Sequence, residues 1–133
     1  MLPLLMSLIL ATSSPVLTAH LIVDPIKTWT TPELKTLATE KAQKYHLNVK
    51  KFLDVIECES EWKIDAVGDG GASIGLAQFY YPYRWGLSTT TAKDPDIALE
   101  TMAQAWHDDR YKEWSCWWII TYPASEESES DLN

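Results

Sequence analysis

Positive charge is scarce in this sequence: 11 Lys and Arg residues stand against 19 Asp and Glu, for a formal net charge of −8 at pH 7. Proteins that bind nucleic acid need clustered Lys and Arg to displace counterions from the phosphates. Simple adhesion to an anionic surface needs the same excess of cations. The composition therefore argues against nucleic acid as a partner, and recognition of a polymer would have to come from a shaped cleft.

Cysteine and histidine are also few. The three histidines, His20, His46 and His107, show neither metal-ligand spacing nor a triad pattern. The two cysteines, Cys58 and Cys116, lack C-x-x-C spacing and cannot form a four-ligand zinc site alone. No metal or cofactor is therefore expected. In an exported protein the cysteines would form one disulfide, worth about 4 kcal/mol of loop entropy, with two buried free thiols as the alternative.

The apolar segment at residues 2–11 is too short to span a bilayer as a helix. The first 19 residues carry no charged side chain, and Thr18-Ala19 offers small residues for cleavage. We therefore expect residues 1–19 to be a secretory signal peptide, with an uncleaved membrane anchor as the alternative. The mature protein would then be secreted, periplasmic or associated with the cell envelope.

A chain of 133 residues has room for one domain. We interpret residues 20–30 as a linker and residues 31–122 as the folded domain, which we expect to be monomeric. Residues 123–133 are rich in serine and acidic residues, a composition typical of a disordered tail.

Two helix starts are visible near the beginning of the domain. Thr31 as N-cap, followed by Pro32 at the first helical position, predicts a helix that runs to about His46. Asn48 is the predicted N-cap of a second helix, which has apolar residues at amphipathic spacing.

The same start signal returns at Asp94-Pro95, which predicts a third long helix. Its apolar stripe comprises Ala98, Leu99, Met102, Ala105 and Trp106. A last short helix or turn is predicted over residues 111–118.

Between the second and third helices, residues 65–75 are turn-rich and predict a short β-hairpin or tongue. Four of the five glycines fall in this segment: Gly68, Gly70, Gly71 and Gly75. Residues 79–93 are interpreted as irregular loop. The predicted fold class is therefore mainly α, of the α+β type, with a small glycine-rich β element beside the helices.

One carboxylate on the second helix stands out. On a helical wheel the inward stripe passes through Phe52, Ile56 and Ser60, and Glu59 lies at its edge. Burial disfavours a charged carboxylate, and so does a position near a helix C-terminus, so both effects would raise the pKa of Glu59. Glu57 lies well off the stripe and Glu61 nearly opposite it, so only Glu59 is expected to point into apolar surroundings. The alternative is that Glu59 extends into solvent like an ordinary surface glutamate.

Glu59-Ser60, followed by Gly71-Ala72 and then Gly75-Leu76-Ala77-Gln78, resembles the lytic transglycosylase (SLT) domain and, more distantly, goose-type lysozymes. The second element here has one residue more than the usual pattern, at Ser73-Ile74. The resemblance extends over about residues 31–118, although its specific motifs occupy only 55–82.

The resemblance implies a lysozyme-like domain whose active-site cleft lies beside the tongue. It makes Glu59 the catalytic acid and base that acts on the glycosidic oxygen. Ser60 would be a hydrogen-bonding neighbour, or else a cap for free carbonyls at the helix end. Gly75 would allow close backbone approach, or simply a turn of positive φ. Gln78 would hydrogen-bond the substrate or Glu59.

The chain also departs from the family pattern. Ala98 and Gln104 stand where the family commonly has Asn and Tyr, and residues 113–117 replace its later Ala-Tyr-Asn-Ala-Gly element. The family Tyr lies near the catalytic Glu, and Tyr80, Tyr81 or Tyr83 could take its place, with nothing in the sequence to select one of them. These differences put the activity in doubt and leave a non-catalytic cell-wall-binding protein as one alternative. A disulfide-linked helical interaction protein is another.

The implied substrate is the peptidoglycan glycan strand, cut at the MurNAc-GlcNAc β-1,4 bond. A transglycosylase manages with one Glu and leaves a 1,6-anhydro sugar, whereas a hydrolase needs a second carboxylate. Asp69 is the first candidate for that second carboxylate and Asp65 the next, although Asp69 could be only a turn residue. Tyr80 and Tyr81 are candidate sugar-binding residues, and Trp62 and Trp85 could be either subsite or core residues.

Overall fold

The computed structural model describes residues 26–124, so the expected leader at 1–19 and the tail from residue 125 lie outside it. In that range five α-helices and a three-stranded antiparallel sheet confirm the mainly α, α+β class. None of these helices is long and apolar enough to cross a bilayer. The elements are α1 (Thr31–Lys44), α2 (Val49–Ser60), β1 (Val67–Gly68), β2 (Ser73–Ile74), β3 (Phe79–Tyr80), α3 (Thr89–Ala92), α4 (Pro95–His107) and α5 (Ser115–Thr121).

Side-chain caps set the starts of the first two helices. Thr30, rather than the predicted Thr31, is the N-cap of α1. Its hydroxyl accepts a hydrogen bond from the Glu33 N–H at 3.4 Å, and the Glu33 carboxylate accepts one from the Thr30 N–H at 2.8 Å. Thr30 is the N-cap, rather than Thr31, because Glu33 lies three positions after Thr30 and completes a capping box. Asn48 caps α2 as predicted, through a bond from the Lys51 N–H at 2.9 Å.

The later helices also begin close to where the sequence places them. The Asp94 carboxylate accepts a hydrogen bond from the Ile97 N–H at 3.0 Å, which confirms it as the N-cap of α4. All five residues of the predicted α4 stripe are buried. The predicted element at 111–118 divides into a 3-10 turn, Tyr111–Glu113, and α5.

Helix α2 is the centre of the core. It packs against α1 and α5, and its Phe52, Val55 and Ile56 side chains are fully buried. The Phe52 ring packs perpendicular to the Trp106 ring of α4, with centroids 5.2 Å apart. Burying one such phenylalanine contributes about 2 kcal/mol or more. The last turn of α2, which carries Glu59, is therefore fixed by packing from several directions.

The glycine-rich segment forms the sheet, as predicted. The strand order is β1-β2-β3, and Ile74 of β2 lies opposite Val67 on one side and Phe79 on the other. Ile74 and Phe79 are buried, whereas Val67 is exposed. The sheet is thus a small tongue in which β2 and β3 contribute buried side chains and β1 forms the more exposed edge.

The prediction of irregular loop for residues 79–93 was wrong in part, because β3 and α3 both lie within it. β3 has two residues and α3 has four, which is too short for a hydrophobic period to show. A local signal was present for α3: Ser88 and Thr91 form a capping box.

Helices α1 and α4 are joined by an ion-pair network around Glu100. Lys41 Nζ lies 2.8 Å from a Glu100 carboxylate oxygen, and Lys44 and the Tyr45 hydroxyl donate to the other oxygen. Burial by itself would raise the pKa of Glu100. The hydrogen bonds from Lys41, Lys44 and Tyr45 outweigh burial and lower the pKa from 4.5 to about 2.

This network predicts an acid-sensitive contribution to stability. Because the folded-state pKa of Glu100 lies below the unfolded value, its contribution is present above about pH 4.5 and is lost as the pH falls towards 2. Glu100→Gln should cost about 2 kcal/mol at pH 7, after allowance for solvent screening, and progressively less below pH 4.5. Urea unfolding at pH 7 and pH 3 measures this, with Glu40→Gln on the exposed face of α1 as control. A cost that does not depend on pH would contradict the assignment.

Candidate active-site cleft

The C-terminal turn of α2, the tongue and the start of α5 enclose a cleft of about 260 Å³. Glu59 reaches it from α2 and is half-buried. Asp69 and Gln78 reach it from the tongue. The lining residues are Glu59, Asp69, Ser73, Gln78, Tyr80, Glu113, Trp114 and Ser115. The cleft thus brings together four of the residues singled out in the sequence, namely Glu59, Asp69, Gln78 and Tyr80.

The Glu59 carboxylate is held by the first turn of α5. Its Oε1 accepts a hydrogen bond from the backbone N–H of Cys116 at 3.0 Å. The N-cap of α5, Trp114, provides no side-chain cap, so Glu59 satisfies an N–H that the helix itself cannot pair. The carboxylate therefore has a structural partner as well as access to the cleft.

A disulfide joins the same two helix ends. Cys58 and Cys116 are bonded, with their Cα atoms 5.9 Å apart, which confirms the expected disulfide. One cysteine directly precedes Glu59, and the other donates the N–H that Glu59 accepts. The backbone on both sides of that hydrogen bond is thus covalently fixed, and this limits the positions that the carboxylate can take.

The surroundings of Glu59 raise its pKa above the ordinary value of 4.5. Burial is the largest cause, and the negative charge of Asp69 acts in the same direction. The Cys116 N–H and the Ser115 hydroxyl stabilise the carboxylate and oppose the rise without cancelling it. The sequence predicted apolar surroundings, whereas the cleft is lined largely by polar side chains. A carboxyl of this kind keeps its proton closer to neutral pH, as a general acid requires.

The other two carboxylates at this helix end are occupied elsewhere. Glu57 is exposed, accepts a hydrogen bond from Trp62 Nε1 at 2.6 Å and pairs with Lys35 at 3.3 Å. Glu61 pairs with Lys63 at 3.2 Å. Neither lines the cleft, which agrees with their positions on the helical wheel.

Asp69 and Gln78 are fixed by hydrogen bonds within the tongue. The Ser73 hydroxyl donates to the Asp69 carboxylate. The Gln78 amide donates to the carbonyls of Gly75, at 2.9 Å, and Ala66, at 3.2 Å, rather than to Glu59. Asp69 and Gln78 both have positive φ, 51° and 47°, a strained conformation that clusters at functional sites. Asp65, the second candidate carboxylate, does not line the cleft.

Ser60 and Gly75, two of the predicted substrate-binding residues, are buried away from the cleft. The Ser60 hydroxyl donates to the Ile56 carbonyl of its own helix at 3.1 Å. Gly75 has a φ of 80°, and a Cβ at this position would lie 2.0 Å from the Ala92 carbonyl oxygen. Ser60 thus bonds back to a carbonyl inside its own helix rather than to a free carbonyl at the helix end. Gly75 provides a turn of positive φ with close packing, which is the alternative considered from sequence.

Exposed aromatic rings border the cleft. Tyr80 lines it and is 48% exposed, and the Tyr81 ring packs against Tyr80 with centroids 4.4 Å apart. Trp62, considered for a subsite, is a core residue at 5% exposure. Trp118, on α5, is 46% exposed.

Sequence reasoning did not identify the wall of the cleft formed by residues 113–115. Trp114 is anchored by a hydrogen bond from its Nε1 to the Ala77 carbonyl at 2.6 Å. The expected disulfide could have predicted this wall, because pairing Cys116 with Cys58 places residues 113–115 next to Glu59. Gly68 packs closely on the cleft residue Gln78, since a Cβ at position 68 would lie 2.5 Å from Gln78 Oε1.

Among residues 26–124, no group of three or more His, Cys, Asp and Glu side chains is arranged to hold a metal ion. No family model matches the chain, and neither a curated protein nor a solved structure matches it.

Proposed function

We propose that this chain is a glycosidase that cuts peptidoglycan glycan strands at the MurNAc-GlcNAc β-1,4 bond, with Glu59 as its catalytic acid. The observation that carries the proposal is the half-buried Glu59 carboxyl, whose pKa is raised and which opens into a cleft. The motif resemblance supplies the substrate class. Export through residues 1–19 belongs to the same proposal, since the glycan lies outside the cytoplasm.

In the proposed reaction, protonated Glu59 donates its proton to the oxygen of the scissile bond as that bond breaks. The Cys116 N–H, which donates to Glu59 Oε1, stabilises the carboxylate that this step leaves behind. In the transglycosylase form, the carboxylate then accepts the proton of the sugar 6-hydroxyl, whose oxygen closes a 1,6-anhydro ring. Glu59 ends the cycle protonated, and no water is consumed.

Hydrolysis is a second candidate because Asp69 lines the same cleft and its charge acts on Glu59. In that case Asp69 orients or deprotonates the attacking water, or stabilises the sugar cation. Glu113 is a weaker candidate for the role, since Arg110 pairs with it at 2.7 and 3.1 Å.

Asp69→Asn distinguishes the two reactions. For a transglycosylase we expect soluble anhydro-muropeptides from purified sacculi, and a rate that falls less than about tenfold in the variant. For a hydrolase we expect reducing-end products, one water heavier, and a loss of about a hundredfold or more. Mass spectrometry of the released products measures both.

Incubation of the native protein with purified sacculi tests whether the chain is an enzyme. If it binds sacculi but releases no muropeptides, the proposed activity is wrong and the non-catalytic wall-binding alternative is favoured. If it neither binds nor cleaves sacculi, both cell-wall functions are contradicted.

A further inference from the structure

The cleft is one end of a longer surface groove. A second hollow, of about 320 Å³, shares Gln78, Tyr80, Glu113 and Trp114 with the cleft. A third, of about 230 Å³, shares Arg84, Trp85 and Arg110 with the second. Because hollows with common walls adjoin, the three form a path from Glu59 to the exposed side of α4. We call this path the groove.

Charge is distributed unevenly along the groove. At its Glu59 end the lining includes three carboxylates, those of Glu59, Asp69 and Glu113. The second and third hollows each contain both guanidinium groups, Arg84 and Arg110, and a single carboxylate, Glu113 in the second and Asp108 in the third. Cations therefore outnumber carboxylates there, two to one. A polymer carrying carboxylates would be repelled at the first end and attracted further along.

The two arginines differ in their availability. Arg110 is engaged by the Glu113 carboxylate and lies over the Trp85 ring, 4.1 Å from its centroid. Arg84 is exposed and forms no salt bridge within residues 26–124. Its guanidinium lies 5.6 Å from the centre of the Tyr81 ring. Arg84 is thus the groove cation with its hydrogen-bonding capacity free for a ligand.

We propose that Arg84, supported by the Tyr81 ring, is an anion subsite that binds a carboxylate of the glycan at a distance from the bond to be cut. This inference rests on the proposed function and adds a specificity to it: the preferred substrate is a carboxylate-bearing glycan rather than a neutral one. Guanidinium suits this role because its paired N–H groups match the two carboxylate oxygens.

Binding measurements with Glu59→Gln protein test the subsite without cleavage. Three ligands differ in where their carboxylates lie: peptide-bearing glycan strands, peptide-free strands that expose the lactyl carboxylate, and neutral chitin oligosaccharides. Adding Arg84→Gln should weaken binding of a carboxylated strand about tenfold and leave chitin binding within about twofold. The strand that loses affinity identifies the source, peptide or lactyl group. Arg84→Lys should recover only part of the loss, because one ammonium cannot replace the guanidinium fork.

Lys112→Gln is the matched control. Lys112 is exposed and lies over a tyrosine ring, 5.9 Å from the Tyr111 centroid, but it does not line the groove. If Arg84→Gln and Lys112→Gln weaken binding of the carboxylated strand equally, the effect comes from net charge alone and the proposed subsite is wrong. Equal loss for charged and neutral ligands would overturn it as well.

The two proposals fail separately. If the native protein cleaves sacculi while Arg84→Gln leaves every affinity unchanged, the subsite alone is wrong. If it cleaves nothing but binds carboxylated strands through Arg84, the enzyme is wrong and the subsite stands.

Discussion

Glu59→Gln is expected to lower glycan cleavage by about a thousandfold or more while leaving the fold intact. The amide oxygen can still accept the Cys116 N–H, so the cap on α5 is preserved. What is lost is the ionisable proton, and general acid catalysis is worth about 10² to 10⁴ in rate, more when the same group acts twice. Release of soluble muropeptides measures the activity. Glu57→Gln, two residues earlier and exposed, should retain full activity.

Glu59→Gln should also change how the stability of the protein depends on pH. The folded-state pKa of Glu59 is raised above 4.5, so the native protein loses stability as the pH rises from that value through the raised one. Gln does not ionise and avoids this loss. The melting temperature of the variant should therefore equal that of the native protein below pH 4.5 and exceed it at pH 7.

Glu59→Ala separates capping from catalysis. Alanine removes the acceptor for the Cys116 N–H as well as the acid, so we expect lost activity together with about 1 kcal/mol of destabilisation. Full activity in either Glu59 variant would overturn the catalytic assignment. A Gln variant that unfolds as readily as the Ala variant would contradict the shared hydrogen bond.

Gly75→Ala is expected to destabilise the domain by about 4 kcal/mol or more. Its φ of 80° already disfavours any side chain, by roughly 1 kcal/mol. The larger cost comes from the Ala92 carbonyl oxygen, 2.0 Å from the new Cβ, because backbone at the end of α3 must move to relieve the clash. Urea unfolding measures the loss.

Gly71→Ala is the control for this contact. Gly71 has a φ of 103°, yet a Cβ there would meet nothing within 4 Å. It should therefore cost only the conformational penalty of about 1 kcal/mol. Similar losses of stability at the two positions would mean that the backbone at the end of α3 moves at little cost, which would contradict the close packing of Gly75 on Ala92.

The helices could be predicted from sequence because their signals are local. Asn48 and Asp94 cap α2 and α4 through their own side chains, and the apolar stripe of α4 follows from its period. The same wheel places Glu59 at the edge of the buried face, and the half-buried side chain lies there. Thr30 shows the usual error of such reasoning, one residue at a helix boundary.

The walls of the cleft could not be derived in the same way. Glu113 and Ser115 lie more than fifty positions after Glu59, and only the tertiary fold brings them together. The left-handed backbone at Gln78 also has no sequence signature, because Gln is not a residue that favours positive φ. Tertiary contacts impose that conformation on the tongue. Motif reasoning consequently assigned Ser60 and Gly75 to the cleft, although both serve the packing around it.

The disulfide spans 58 positions, and every element from β1 to α4 lies inside the loop that it closes. A protease that nicks the exposed stretch around residues 88–90 would therefore not release a fragment. The two pieces would stay joined as one particle until a thiol separates them, with the Glu59 and Ser115 sides of the cleft still tethered to each other.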